Sequence, residues 1–487
     1  MLGRQHLQHI ALNISGMVLP MAAGLLVIPS LVHRLGTDRF GVLSISWVLV
    51  GYFGLLDLGL ARGLTQFLAQ QTATGTAPET RAAVARKVRF WMLCMGLGWS
   101  TLLLVLTPWL TQTGLKMPLA LHAEATVGWI FLSLSIPFFM WSSSSIGVLE
   151  AYGRFPTVNA IRIPMGIATF FVPWAISHWT SDLGIVLAGL CGVRLITALA
   201  SAYLSQTHFT NPDETFAASH LKEILTFGGW LTVSNLVGPV LAYFDRFAIG
   251  ALISVTAVTH YTVPFDVLSR LPAIPVAMMG VFFPLLAKTH GTQNHAKLPS
   301  MVRAANQLLV GFWVPGLVVC GLLGKLLLTW WVGADIAQAS SGVWAWIAMG
   351  VLINGFAHLP YTLLHSAGRT DITAKLHLVE LVPYLIALWW GIMHYGIKGA
   401  AAVWTLRVLV DTLFLCLGAA GLFPELRSVC TRTFAWAVGT SAFISVGLYA
   451  ESSNMAAWTN PTTAMWLVLV ALLWSSFHLY RLLKKQT

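Results

Sequence analysis

Ten charged side chains lie inside the long apolar stretches of this 487-residue chain, and they are the residues that could do chemistry. The five bases are arginines: Arg62, Arg194, Arg246, Arg270 and Arg407. The five acids are Asp57, Asp245, Asp266, Glu380 and Asp411. A charge at the centre of a bilayer costs about 2.5–3.5 kcal/mol on insertion scales, so each is a candidate functional residue. The arginines are candidates for binding phosphate, because a planar guanidinium can bind two oxygens. Asp57, Asp266, Glu380 and Asp411 are candidates either for coupling or for polar contacts within a lobe.

The motif "LLDLGLARGLTQ" holds Asp57 and Arg62 five residues apart. They lie about 140° apart around a helix and do not share a face. We expect Asp57 to make a polar contact with a neighbouring helix or to act as a coupling site. Arg62 either extends to the cytoplasmic surface or faces a phosphate there.

The segment "TVPFDVLSRLPAIP" holds Asp266 and Arg270 four residues apart, among three prolines. The prolines predict a broken or kinked helix. The two charges either neutralise each other or form a mid-membrane site. In that site Arg270 meets a phosphate, and Asp266 holds Arg270 or takes a coupling proton.

The other intramembrane charges differ in their local partners. Arg407 and Asp411 are four residues apart, which favours structural pairing. The neighbours Asp245 and Arg246 end a span close to the outside, which favours interfacial anchoring. Arg194 and Glu380 have no local partner.

The composition indicates a multi-pass helical membrane protein, with 57% hydrophobic and 9% charged residues and a mean hydropathy of +0.75. The net charge of +11 comes from scattered bases, which argues for basic cytoplasmic loops and against a nucleic-acid partner. The five cysteines form no CxxC pair, so we expect no disulfide and no metal site. We also expect no cofactor. The apolar N-terminus is interpreted as a first span rather than a signal peptide.

We predict about fourteen transmembrane helices. A cytoplasmic N-terminus places 18 of the 28 lysines and arginines in cytoplasmic segments and five outside, so both termini are predicted to be cytoplasmic. The ranges are about 9–33, 40–68, 88–110, 124–149, 157–178, 183–204, 223–248, 255–287, 302–330, 341–365, 374–395, 398–420, 432–450 and 463–482.

An internal repeat relates the two halves of the chain. Gly153 and Arg154 follow the fourth span, and Gly368 and Arg369 follow the tenth, 215 residues later. A six-helix unit repeated once predicts two parallel lobes, with a substrate site between them near mid-membrane. The predicted divisions are a lobe at 1–206, a cytoplasmic linker at 207–222, a lobe at 223–422, and two additional helices at 423–487.

The segment "LVHRLGTDRFGVLSISWVLVGYFGLLDLGLARGLTQFLAQ", with "VLEAYGRF" and "FFPLLAK" in that order, resembles a known family. It is similar to the polysaccharide-unit (O-antigen, Wzx-type) flippases of the multidrug/oligosaccharidyl-lipid/polysaccharide exporter superfamily, over residues 1 to about 420. The resemblance implies a V-shaped, two-lobed transporter in the bacterial inner membrane. It implies export of an undecaprenyl-pyrophosphate-linked oligosaccharide to the outer leaflet, coupling to H⁺ or Na⁺, and polymerase and chain-length regulator proteins as candidate partners.

Other functions remain open at this point. A cation-coupled drug exporter of the same superfamily would favour a compact acidic site over several bases. A peptidoglycan-precursor flippase would differ only in its glycan. A membrane-embedded polysaccharide polymerase or glycosyltransferase would need a sizeable outer loop, whereas here no loop exceeds about 20 residues. There is also no phosphate-binding loop for ATP.

Overall fold

The computed structural model describes residues 4–57, 59–73, 78–206, 238, 240–291 and 298–452, and a few residues between 466 and 477. Within these ranges almost every residue is helical and none is in a strand, which confirms the predicted all-α class. The chain divides into two compact units, Met1–Thr259 and His260–Thr487.

The first unit contains the helices that surround the N-terminal candidate residues. They are α1 (Arg4–Leu56), α2 (Leu60–Ala73), α3 (Pro78–Trp109), α4 (His122–Ala151), α5 (Phe155–Ile176), α6 (Leu183–Ser205), α7 (240–252) and the start of α8 (Val255–Leu268). Gly36, with φ of 79°, divides α1 into two helical arms, as the predicted joint between residues 33 and 40 requires.

The central helix of this unit is α4, which contacts α1, α2, α3, α5 and α6. The hydroxyls of its buried serines donate hydrogen bonds to carbonyls one turn earlier in the same helix. Ser133 donates to the Trp129 carbonyl and Ser145 to the Trp141 carbonyl. A Cβ on Gly147 would lie 3.0 Å from the Ala61 carbonyl oxygen. Small residues therefore let α2 pack closely against α4.

The second unit contains the remaining described helices. They are α9 (Ala273–Gly291), α10 (Leu298–Leu322), α11 (Gly324–Val332), α12 (Ala334–Ser366), α13 (Thr370–Leu422) and α14 (Arg427–Ser452). Here α12 is central and contacts α9, α10, α11, α13 and α14. Gly396, with φ of 61°, divides α13 into two arms. They pack closely, since a Cβ on Gly399 would lie 2.0 Å from the Gly391 carbonyl oxygen.

The two repeat turns have the same backbone geometry. Gly153 and Gly368 have φ of 69° and 74°. Arg154 N donates to the Leu149 carbonyl at 2.9 Å, and Arg369 N donates to the Leu364 carbonyl at 2.9 Å. These are matching left-handed helix C-caps. They end α4 and α12, the central helices of their units, which supports the internal repeat.

The described helices have the surface of a membrane protein. Nine helical stretches in the described part of the chain are long and apolar enough to span a bilayer. Large apolar side chains on these stretches are exposed, including Leu26 at 75%, Val105 at 70% and Val379 at 72%. Such surfaces are stable in hydrocarbon rather than in water.

Some sequence predictions fall outside the described residues. The span at 223–248 and the last span at 463–482 lie largely there, and so does the linker at 207–222. The count of fourteen helices and the lobe boundaries therefore stay predictions.

Three predicted continuous spans are interrupted in the structure. The second span breaks at Asp57–Gly59, the eighth at residues 269–272, and the ninth at Leu323. The prolines around Asp266 and Arg270 predicted the second of these breaks. The other two were not predicted, because apolar residues flank Asp57 on both sides and continue through Leu323.

Candidate functional site

Asp57 caps the helix that follows the break in the second span. Its carboxylate accepts hydrogen bonds from Gly59 N at 2.9 Å and Ala61 N at 3.4 Å. Gly59 has φ of 74°, and the Leu56 carbonyl at the end of α1 accepts a bond from Trp99 Nε1 at 3.1 Å. The carboxylate and the indole thus satisfy backbone groups that a helix end would otherwise leave unpaired. Arg62 is exposed on α2 and makes no ion pair with any described residue.

Arg194 is buried at the middle of α6, about 16 Å from either end of that helix. Its Nη1 lies 3.2 Å from the sulfur of Met165 on α5, and its guanidinium lies 5.7 Å from the ring centre of Phe139 on α4. No carboxylate among the described residues pairs with it. A thioether and a ring face are weak partners for a full positive charge, so the site would gain from an anion.

Asp245 and Arg246 are buried on α7, with 0% and 3% of their surfaces exposed. The Asp245 carboxylate accepts a bond from Arg246 N at 2.8 Å, and the Arg246 guanidinium lies 5.2 Å from the Tyr243 ring centre. Both side chains are thus buried, and their anchoring at the membrane interface stays a prediction.

Arg270 lies in the break between α8 and α9, near the middle of the apolar stretch Val255–Phe283. Its Nε donates to the backbone carbonyl of Asp266 at 2.7 Å. Both side chains are half-buried. The bond holds Arg270 at a point where the helix is interrupted.

The second unit brings three candidate residues, Glu380, Arg407 and Asp411, together with His377. Arg407 Nε lies 3.4 Å from Glu380 Oε2, and His377 Nε2 lies 3.5 Å from Asp411 Oδ1. The predicted pairing of Arg407 with Asp411 within one helix face is therefore wrong. The bend at Gly396 brings the first arm of α13, with Glu380 and His377, against the second.

Two carboxylate oxygens in this cluster accept no hydrogen bond from the described residues. They are Glu380 Oε1 and Asp411 Oδ1, in side chains that are 7% and 5% exposed. Asp411 Oδ1 has the 3.5 Å contact with His377 Nε2 beside it. Buried oxygens that accept no hydrogen bond gain from a bound donor or cation. Among the described residues no three His, Cys, Asp or Glu side chains converge to hold a metal ion.

Several polar contacts were missed by the sequence reasoning. Arg39 binds Glu124 through two bonds of 2.8 and 2.7 Å, and Glu124 also accepts a bond from Leu183 N at 3.1 Å. Arg89, assigned from sequence to a cytoplasmic segment, donates to the hydroxyl of Ser145 at 2.9 Å. These partners are far apart in sequence, so no local pattern could have indicated them.

The start of α8 is held against the first bend of α1, within the first unit. Thr259 Oγ1 donates to the Thr37 carbonyl at 2.5 Å, and Thr256 Oγ1 donates to the Asp38 carboxylate. A Cβ on Gly41 would lie 1.9 Å from the Val255 carbonyl oxygen, so only glycine allows this approach. In the predicted topology these contacts lie at the outer face.

The repeat turns lie apart from the buried charges. Gly153, Arg154, Gly368 and Arg369 are exposed, and Arg369 pairs with Asp371 at 2.9 Å. Their described contacts form the helix caps and this surface ion pair.

The described helices define the class: a multi-pass helical membrane protein that carries charged side chains within its apolar helices. The structure is similar to "Lipid II flippase MurJ, inward closed conformation", with a TM-score of 0.70, 12% identity, and coverage of 98% of this chain and 99% of that one. It is also similar to an inward-facing multidrug resistance transporter of the MATE family, with a TM-score of 0.65, 14% identity, and coverage of 89% and 98%.

The sequence comparisons identify the family. The family model described as "Polysaccharide biosynthesis protein" matches residues 6–290, more than half of the chain. The chain belongs to this family. It is 29% identical over 408 residues to a Shigella flexneri protein named "Putative O-antigen transporter", covering 83% of this chain and 95% of that protein. It is 21% identical over 409 residues to "Uncharacterized membrane protein EpsK" of Bacillus subtilis, covering 80% of this chain and 77% of that protein.

Proposed function

We propose that this protein is a flippase for a lipid-linked oligosaccharide. It moves a polysaccharide repeat unit, carried on undecaprenyl pyrophosphate, from the cytoplasmic to the periplasmic leaflet of the bacterial inner membrane. Polar sugars cannot cross hydrocarbon unaided, so the protein supplies the polar path while the lipid tail stays in the bilayer.

The observation that carries this proposal is the environment of Arg194. A buried guanidinium at mid-helix without a carboxylate partner favours an anionic ligand, and a pyrophosphate is such a ligand. Arg270, at the break in the eighth span, is a second candidate for contacting the phosphate. A cell interior held negative drives an anionic headgroup outward, by about 2.3 kcal/mol per charge per 100 mV.

The acidic cluster of the second unit supports a coupling role within the same proposal. Glu380 and Asp411 present buried oxygens that a H⁺ or Na⁺ could bind, close to the cation Arg407. Binding there would drive the return of the empty carrier. The cluster also favours a second candidate function, a cation-coupled small-molecule exporter, because such a transporter needs an acidic site of this kind.

The first experiment compares lipid-linked sugars in cells lacking this protein with cells restored by the wild type, Arg194→Met or Arg427→Gln. Arg427 is an exposed residue at the start of α14 and serves as the control. We expect undecaprenyl-pyrophosphate oligosaccharide to accumulate without the protein and with Arg194→Met, at equal protein levels. If cells lacking the protein keep their surface polysaccharide and do not accumulate the lipid-linked oligosaccharide, the flippase proposal is refuted. Small-molecule export would then be favoured. If the lipid-linked oligosaccharide accumulates in the deletion strain and Arg194→Met restores its export fully, Arg194 does not bind the substrate.

A further inference from the structure

A basic cavity in the second unit lies apart from the charges discussed so far. It measures about 180 Å³, and its polar lining consists of Arg303, Asn306 and Gln307 on α10 and Arg432 on α14. None of the described residues that line it is acidic. Asn306 is fixed by a 2.9 Å hydrogen bond with the Thr433 hydroxyl. This lining suits a singly charged, oxygen-rich group such as a phosphate diester.

The charges of this cavity are not neutralised within the described part of the chain. Arg303 Nε donates to the Pro299 carbonyl at 3.3 Å, which leaves its other N–H groups available. Neither Arg303 nor Arg432 forms an ion pair with a described residue. Both arginines are assigned to the cytoplasmic side by the predicted topology. Basic pockets between transmembrane helices on that side recognise anionic lipid headgroups.

An apolar groove of about 610 Å³ continues from this cavity, sharing Arg432 and Trp436 with it. Val314, Val318 and Val319 of α10 form one wall. Gly439 and Phe443 of α14 form the other, and Val470 and Trp474 line it from further along the chain. From Arg432 to Phe443 the helix rises about 16 Å. This matches the thickness of one leaflet, about 15 Å.

We propose that this cavity and groove bind one anionic phospholipid of the cytoplasmic leaflet. Its phosphate contacts Arg303 and Arg432, and one acyl chain lies along the groove between α10 and α14. The apolar length favours an acyl chain over the carrier lipid, since an undecaprenyl chain is much longer than the groove. Arg432 and Trp436 lie at the boundary between the two regions, where aromatic and basic residues anchor at a membrane interface. The proposal is independent of the transported substrate.

The test measures lipid binding to the delipidated full-length protein by native mass spectrometry. Phosphatidylglycerol and phosphatidylcholine with the same oleoyl chains are compared. We expect phosphatidylglycerol to bind at least tenfold more tightly. The double variant Arg303→Gln/Arg432→Gln should lose this preference, whereas Arg427→Gln, an exposed arginine at the same end of α14, should keep it.

A second variant tests the groove without changing charge. An added Cβ on Gly439 has no atom within 4 Å, so Gly439→Leu places new side-chain atoms in the groove. We expect it to weaken phosphatidylglycerol binding at least fivefold. Gly98→Leu, at an open position on α3, should have no effect. This variant retains both arginines and so tests the proposal even if the double variant does not fold.

Three results would overturn the proposal. The first is equal binding of the two lipids by the wild type. The second is unchanged phosphatidylglycerol binding in both Arg303→Gln/Arg432→Gln and Gly439→Leu. The third is displacement of phosphatidylglycerol by an equimolar amount of undecaprenyl phosphate, which would make the carrier lipid the occupant.

Discussion

Burying the guanidinium of Arg194 costs free energy that no carboxylate in the described part of the chain returns. The Met165 sulfur and the Phe139 ring are weaker partners than an ion pair. Such an arrangement is expected where function, rather than stability, selects the residue. The effect of Arg194 on transport can therefore be measured separately from its effect on stability. Removing its charge leaves no carboxylate buried without a partner among the described residues.

We therefore predict that Arg194→Met raises the unfolding temperature of the detergent-solubilised protein while it abolishes transport. A methionine fills similar volume without the desolvation cost, and replacements of this kind often stabilise a protein by about 1–4 kcal/mol. The measurements are a thermal unfolding midpoint and the assay of lipid-linked sugars. A midpoint lowered by several degrees would show that Arg194 is a structural residue with a favourable partner.

Asp57 is expected to act as a helix cap rather than as a titrating group. Asp57→Asn keeps an oxygen that can accept from Gly59 N, and asparagine caps helices as well as aspartate does. We predict near wild-type transport and stability for Asp57→Asn, and a loss of about 1 kcal/mol for Asp57→Ala. A stable Asp57→Asn protein without transport would instead assign a coupling role to the carboxylate.

The ion pair of Glu380 with Arg407 is predicted to be strongly coupled, because both side chains are largely buried. Arg407→Met alone should destabilise the protein by about 3–5 kcal/mol, since it leaves Glu380 buried without its cation. The double variant Glu380→Met/Arg407→Met should recover most of that loss. Arg369→Met, which breaks an exposed pair, is the control and should change little. Equal instability of the single and double variants would show that the pair is not coupled.

At the scale of helices, the repeat makes its own prediction. Gly153 and Gly368 occupy left-handed positions that cost other residues about 1–2 kcal/mol. Gly153→Ala and Gly368→Ala should each lower the unfolding free energy by about that amount, and by similar amounts in the two halves. Gly98→Ala, within α3 and facing open space, should cause no loss. If alanine lowers the unfolding free energy at one of these glycines and not at the other, the two turns are not equivalent.

The same scale shows what the sequence could and could not predict. The bends at Gly36 and Gly396 were predicted, because glycines separate two apolar runs at those points. The break at Asp57 was not, because apolar residues flank it on both sides, although an aspartate two residues before a glycine is a local capping signal. The pairing of Glu380 with Arg407 spans 27 residues and depends on how the two arms of α13 pack. Hydropathy does not determine how the two arms of α13 align with each other. The sequence analysis therefore favoured Asp411, four residues along the same helix, as the partner of Arg407.

For the whole molecule, the repeat and the charge distribution make a joint prediction about topology. Parallel lobes require Arg154 and Arg369 to lie on the same side of the membrane, and the distribution of lysines and arginines assigns that side to the cytoplasm. Arg34 and Lys398 are exposed residues assigned to the outside. Each of these four positions is suitable for a single cysteine, in a protein whose five native cysteines have been replaced.

We predict that a membrane-impermeant thiol reagent labels Arg34→Cys and Lys398→Cys in intact cells. Arg154→Cys and Arg369→Cys should react only after the membrane is opened. The result matters for function, because the outward drive on an anionic headgroup depends on which face of the protein is cytoplasmic. Labelling of Arg154→Cys and Arg369→Cys from opposite sides would refute the parallel arrangement and, with it, the substrate path expected between two such lobes. Labelling of both from outside would keep the repeat but reverse the protein, so that the membrane potential would oppose export of the anionic unit.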